Sequence, residues 1–207
     1  MAPRNKFTRE EMVGAALRVV RAKGIDALTA KALAEELGTS TQPVFTCFNT
    51  MDTVKKEVRI AAERIYDGYA AEGLRQEIPF FGFGTQYIRF AREEPELYRL
   101  LFLAMTAEGN SGALEAMKHS RAIVRPFLER TYHLSAEEAE RYFRDLWLVV
   151  HSLATLIVTG GCPYSDGEIE QILTGFSISV CKAIKEIPGF TAGTFDRNAV
   201  FRFLTEK

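Results

Sequence analysis

Thr41, Gln42 and Thr46 fall in one short run, STQPVFTCF, among the apolar Val44, Phe45 and Phe48. A glutamine amide can pair with adenine through two hydrogen bonds, and a threonine can bond a base edge or lay its methyl against thymine. Helical spacing places Val44, Phe45 and Phe48 on an inward face and leaves the three polar groups outward. Thr29 and Thr39, at or near predicted helix N-termini, suit contacts to backbone phosphates. This chemistry needs a helix that can enter a groove of DNA, so the neighbouring elements decide whether it is used.

Those elements have the required form. Thr29 can cap a helix bearing Ala30, Leu33, Ala34 and Leu37, and Gly38 suits its stop. Ser40 or Thr41 can start the next helix, with Pro43 early enough to be tolerated. Two short helices joined by a tight glycine turn form a helix-turn-helix. A helical hairpin that merely packs has the same periodicity, so the flanks matter. Upstream, Thr8 and Glu11 form a capping box for a helix bearing Met12, Val13, Ala16, Leu17 and Val20, which ends at Lys23–Gly24. Downstream, Asn49-Thr50-Met51-Asp52 restarts the chain as a long helix to about Arg75, with Val54, Val58, Ala61, Ile65 and Tyr69 as its stripe. Its beginning belongs to a trihelical head and its end to a larger body.

The 207 residues are of globular composition, 47% hydrophobic and 26% charged. The net charge of −1 does not advertise a nucleic-acid partner, but its distribution is uneven. Residues 1–59 hold ten Lys/Arg against seven Asp/Glu; the other 148 hold sixteen against twenty. A mildly basic head on a mildly acidic body suits a small DNA-contacting unit attached to something else. Cys47, Cys162 and Cys181 are widely spaced and odd in number, which predicts neither a disulfide framework nor a zinc site. With no apolar leader and no run of about 18 apolar residues, the expectation is a soluble, cytoplasmic protein without membrane contact.

The body reads as helices throughout. Ile78–Glu94 is aromatic-rich but interrupted by Gly82 and Gly84, which weakens it as a regular helix. Pro95 begins a helix bearing Leu97, Leu100, Leu101 and Met105; Glu108–Gly112 is a loop. A helix through Leu114, Met117, Arg121, Val124 and Leu128 follows, with Pro126 a kink or early break. Ser135–Glu138 is a capping box before a helix bearing Phe143, Leu146, Trp147, Val150, Ala154 and Ile157. Pro163–Gly167 reads as a turn, then Ile169–Ile187 carries a near-heptad apolar stripe, and the tail ends in an amphipathic piece, Phe195–Leu204. The class is all-α with about nine helices and no convincing strand. The last two long helices, about 135–160 and 165–187, are apolar on more than one face, which predicts burial against a second copy in a four-helix bundle.

The run FTREEMVGAALRVVRAKGIDALTAKALAEELGTSTQPVFTCFNTMDTV resembles the DNA-binding domain of the tetracycline-repressor (TetR) family of bacterial transcription regulators. Phe90–Phe102 and the Trp147–Gly160 run, with its Trp-x-x-x-His, are similar to ligand-binding halves of some members. The resemblance implies a helix-turn-helix domain at 1–50, an effector-binding and dimerisation domain at 51–207, and a homodimer on double-stranded operator DNA. It implies a one-component regulator, a repressor released by a small effector, with no cofactor, no metal and no catalytic residue. Lys31 matches a family position that often reaches DNA. The family usually has Tyr at Phe45, His at Cys47 and Lys at Met51, groups that contact phosphates; Arg4, Lys6, Lys55 and Lys56 would then compensate. The alternative is a small-molecule-binding protein on the same fold with weakened or lost operator recognition.

For an apolar or aromatic effector the candidate residues are Phe83, Tyr87, Phe102, Met105, Met117, Arg121, Trp147 and His151. His151, one ionisable group on an apolar helix beside Trp147, suits either a ligand partner or a satisfied core histidine. An α-helical enzyme finds no support: His119, His133 and His151 lie outside any HExxH, and no GxSxG or phosphate loop is present.

Overall fold

A computed structural model describes residues 7–105 and 109–205. Arg4 and Lys6 lie outside the described residues, as does part of the Glu108–Gly112 loop. Helix α1 (Arg9–Lys23) starts at the Thr8 capping box and buries Met12, Ala15, Ala16, Val19 and Val20. A 3₁₀ turn (Ile25–Ala27) leads through buried Leu28 to α2 (Ala30–Leu37), capped by Thr29. Gly38 closes α2 in the left-handed region (φ 63°), where a side chain would be strained, and the Thr39 amide donates to the Ala34 carbonyl at 2.9 Å. Helix α3 (Gln42–Phe48) follows at once.

Helix α4 (Met51–Leu74) is capped by Thr50 and runs from this three-helix head into the body. Its buried stripe is Val54, Val58, Ala62, Tyr66 and Ala70, not the expected Ala61, Ile65 and Tyr69, which are half-buried. A strict i+4 step drifts around the helix, and here the stripe drifts with it to follow the next helix.

Helix α5 (Pro79–Glu93) is regular despite its glycines. For Gly82 the reason is tertiary. A Cβ added at Gly82 would overlap the Gly73 carbonyl, and one added at Gly73 would overlap the backbone of Gly82 and Phe83. The two bare backbones let α4 and α5 touch, and that contact outweighs the local helix preference. After α6 (Pro95–Tyr98), the residues Arg99–Leu103 form a π-helical turn whose end is set by the Ala104 amide donating to the Arg99 carbonyl at 2.9 Å. The helix expected to carry Met105 therefore ends before it, and Met105 is exposed.

Helix α7 (Gly112–Tyr132) continues through Pro126 without breaking, and it buries Val124 and Leu128 while Leu114 stays exposed. Helix α8 (Ala136–Val158) begins at the Ser135–Glu138 box. Helix α9 (Asp166–Glu186) begins at a third box, Ser165–Glu168, within the stretch read from sequence as a turn. Helix α10 (Arg197–Thr205) ends the described chain and buries nothing. The architecture is all-α, with ten α-helices and no strand among the described residues. One continuous apolar core joins head and body along α4.

Candidate functional site

The outward face of α3 is made by Gln42, Phe45, Thr46 and Asn49, at spacings of three and four, while Val44 and Phe48 are buried. Phe45 is therefore not an inward residue as the sequence suggested; it is 44% exposed, in the middle of the polar face. A seven-residue helix has too few turns for its apolar face to be read from spacing. Thr46 donates its hydroxyl to the Gln42 carbonyl at 2.9 Å, so its oxygen lone pairs and methyl are what it offers outward. Thr29 accepts the Ala32 amide at 3.1 Å as a cap and keeps its hydroxyl proton for another acceptor. Thr41 and Gln42 are exposed, Thr39 is half-buried, and Lys31 is exposed beside Glu35 at 3.9 Å.

The head is tied together by Arg9. Its guanidinium meets Glu57 at 2.6 Å and the Cys47 carbonyl at 3.4 Å, and lies over the Phe48 ring at 4.6 Å, joining α1, α3 and α4. Lys55 and Lys56 fall elsewhere: with Asp26, Asp52 and Arg59 they line a groove of about 790 Å³ between head and body. Cys47 and Met51 are half-buried.

In the body, Phe83, Tyr87, Phe102, Trp147 and His151 come together, and Tyr98 joins them. The His151 Nδ1 lies 3.1 Å from the Tyr87 hydroxyl and 3.0 Å from that of Tyr98, and the His151 ring stacks on Trp147 at 4.6 Å. Tyr98 also reaches Thr155 Oγ1 at 3.1 Å. Burial disfavours the charged imidazole and lowers the His151 pKa below its ordinary value. The same burial pushes Tyr98 up to about 12 and Tyr87 well above the usual phenol range. All three therefore stand neutral, and Nδ1, with a single lone pair, can accept from one of the two phenols when the imidazole proton is on Nε2. Arg121 and Met105 do not join this cluster: Arg121 is exposed and paired with Glu140 at 3.0 Å, and Met105 borders the head–body groove. Met117 is half-buried against the core.

Sequence reasoning missed Tyr66, Tyr98 and Arg59. Tyr98 stands four residues before Phe102, and Tyr66 continues Val54, Val58 and Ala62, so each was on a readable stripe. Arg59 carried no such signal. It donates to the carbonyls of Leu100 (2.8 Å) and Leu101 (3.1 Å), two of the groups on the π-helical turn, and so fastens α4 to that turn. A second tie joins α1 to the α5–α6 junction, where Arg21 meets Glu94 through two hydrogen bonds of 2.8 and 2.6 Å.

Residues 80–174 match the family described as tetracyclin repressor-like, C-terminal domain. An uncharacterised HTH-type transcriptional regulator of Mycobacterium tuberculosis is 25% identical over 161 residues, covering 75% of this chain and 72% of its own. The solved structure of a TetR-family member from Streptomyces coelicolor A3 shares the fold, with a TM-score of 0.60 at 20% identity over 81% of this chain and 96% of that one. The body is thus similar to the C-terminal domain of tetracyclin repressor-like proteins, and the fold as a whole to that of a TetR-family member. No helix of the described residues is long and apolar enough to cross a membrane.

Proposed function

We propose that this chain is a TetR-family transcriptional regulator, a homodimeric repressor acting in the cytoplasm without catalytic chemistry and released from its operator by a small apolar or aromatic effector. Residues 1–50 serve as the DNA-binding domain and 51–207 as the effector-binding and dimerisation domain. The observation that carries the reading is the exposed face of α3, with Gln42 and Thr46 outermost and the Gly38 turn behind it. Thr41, Gln42 and Thr46 read bases; Thr29, Lys31 and Thr39 hold phosphates, with Arg4 and Lys6 adding positive charge.

Dimerisation through α8 and α9 is supported by Leu148, Leu156, Tyr164 and Phe176, which expose a contiguous apolar surface along both helices. A patch of this kind on a soluble chain favours a partner. Two heads would then sit in successive major grooves, about 34–36 Å apart. The effector acts through the Tyr87–Tyr98–His151–Trp147 cluster and its surroundings, and the signal reaches the head along α4. Its differential affinity for the two states sets the coupling, typically about 1–3 kcal/mol.

An electrophoretic shift with DNA flanking the gene tests this reading. A salt-sensitive, sequence-specific shift is expected; its absence would leave the alternative of a binding protein without operator recognition. That second reading is favoured by one observation, the exposed Phe45 where the family places a phosphate-bonding hydroxyl.

A further inference from the structure

The face that α3 turns outward is uncharged. From Gln42 to Phe48 the helix carries no acid and no base, so none of its side chains forms an ion pair with a phosphate. It presents an amide at Gln42, a ring at Phe45 and a methyl-bearing hydroxyl at Thr46. Phe45 is the odd member of this set. Val44 and Phe48 on either side are buried and fix the helix to the head, while the Phe45 ring stays exposed. Its backbone is held at both ends: the amide donates to the Thr41 carbonyl at 3.3 Å, and the carbonyl accepts the Asn49 amide at 3.0 Å. The ring therefore stands at a fixed point, close to one turn along from Gln42. Residues three apart on a helix have Cβ atoms about 5–6 Å apart, which spans one to two base-pair steps of about 3.4 Å.

We propose that Phe45 is a specificity-determining residue whose ring reads the C5 methyl group of a thymine in the major groove, one or two steps from an adenine paired by Gln42. This rests on the DNA-binding reading given above and names a base that the head selects. A phenyl ring has no polar hydrogen to donate and no oxygen or nitrogen to accept, so it tells base pairs apart by apolar contact. The thymine methyl is the apolar group on the base edges of that groove. The contact removes the methyl and part of the exposed ring from water, and burying one methyl-sized group is enough for about a fourfold preference. A ring without a hydroxyl thus replaces a contact to phosphate, which carries no sequence information, by one that does. Thr46 also turns a methyl outward, so the two side chains have to be separated by experiment.

The test begins with the full chain selecting binding sites from a randomised pool of duplexes. Each thymine of the recovered site is then replaced, one at a time, by deoxyuridine, which lacks only the methyl. Fluorescence anisotropy is expected to show at least one thymine whose replacement weakens binding about fourfold. Phe45→Ala, at an exposed helical position that alanine suits, is expected to keep the helical circular dichroism signal. It is expected to bind the thymine and deoxyuridine duplexes equally at that position. Thr46→Ser, which removes the neighbouring methyl, is expected to preserve the difference. The proposal is overturned if no thymine shows the loss, if the loss persists in Phe45→Ala, or if Thr46→Ser alone abolishes it. A selected site with no Phe45-dependent methyl effect sinks this proposal and leaves the repressor reading standing. A pool in which no sequence is enriched sinks operator recognition, and this proposal with it.

Discussion

Arg21 on the first helix of the head and Glu94 at the end of α5 form a two-pronged ion pair, and Glu94 is the more enclosed partner, with 14% of its side chain exposed. Bidentate geometry makes this more than a surface contact. Hydrogen bonding to Glu94 raises the Arg21 pKa above its ordinary value, so the guanidinium keeps its charge. In a double-mutant cycle of Arg21→Gln and Glu94→Gln, denaturant unfolding is expected to give a coupling of about 0.5–1 kcal/mol. A coupling near zero would show that the pair does not hold the head to the body.

The crossing of α4 and α5 makes a sharper demand. Gly73→Ala and Gly82→Ala each drive a methyl into facing backbone and are expected to cost about 2–4 kcal/mol, seen as a large fall in Tm. Gly68→Ala, in the same helix with open space around it, is expected to be neutral or to stabilise by about 0.5–1 kcal/mol.

These glycines show what the sequence reveals and what it does not. The three-helix head, its caps at Thr8, Thr29 and Thr50, and the aromatic meeting of Tyr87, Phe102, Trp147 and His151 were legible, because caps and helical stripes are local signals. Gly82 read as a weak point because its purpose lies in another helix, at Gly73, whereas a side chain at Gly84 would meet only ordinary contacts with Val150 and Leu173. Arg59 was invisible for the same reason: its partners are carbonyls, which no residue type announces. Phe45 was turned the wrong way because a stripe needs more than two turns to fix its direction. The Ser165–Glu168 box was hidden by Pro163 and Gly167, whose turn preference masked a helix start.

His151 gives a pH dependence. Its pKa is lowered in the folded protein by burial, so below about 6.5 the unfolded chain binds the proton and the folded one resists it. Stability is therefore lost as pH falls from about 6.5 toward the folded value. His151→Gln, neutral at every pH, is expected to flatten that part of the stability profile measured by urea unfolding between about pH 7 and pH 5. An unchanged slope would mean that the imidazole is not the titrating group.

On the DNA side, Phe45→Tyr places a hydroxyl at an exposed point of α3. Fluorescence anisotropy with operator DNA is expected to show tighter binding by about 0.5–1.5 kcal/mol. Gln42→Ala is expected to cost about 1–3 kcal/mol on the specific site and little on random DNA.

The proposed dimer is tested by Leu148→Arg with Phe176→Arg, which puts charge on the apolar face of α8 and α9. Light scattering is expected to give a monomer, while circular dichroism keeps its helical signal.

The glycine contact also sets the mechanics of α4. Where two backbones touch, neither helix can slide past the other cheaply, and the remaining freedom is rotation about the point of contact. From Gly73 to Met51 the helix is a rigid arm of about 33 Å, at 1.5 Å per residue. A tilt of about 5° at that fulcrum carries the arm's far end through about 3 Å, close to the rise of one base pair. A displacement too small to notice in the body would then be a full step of register at the operator.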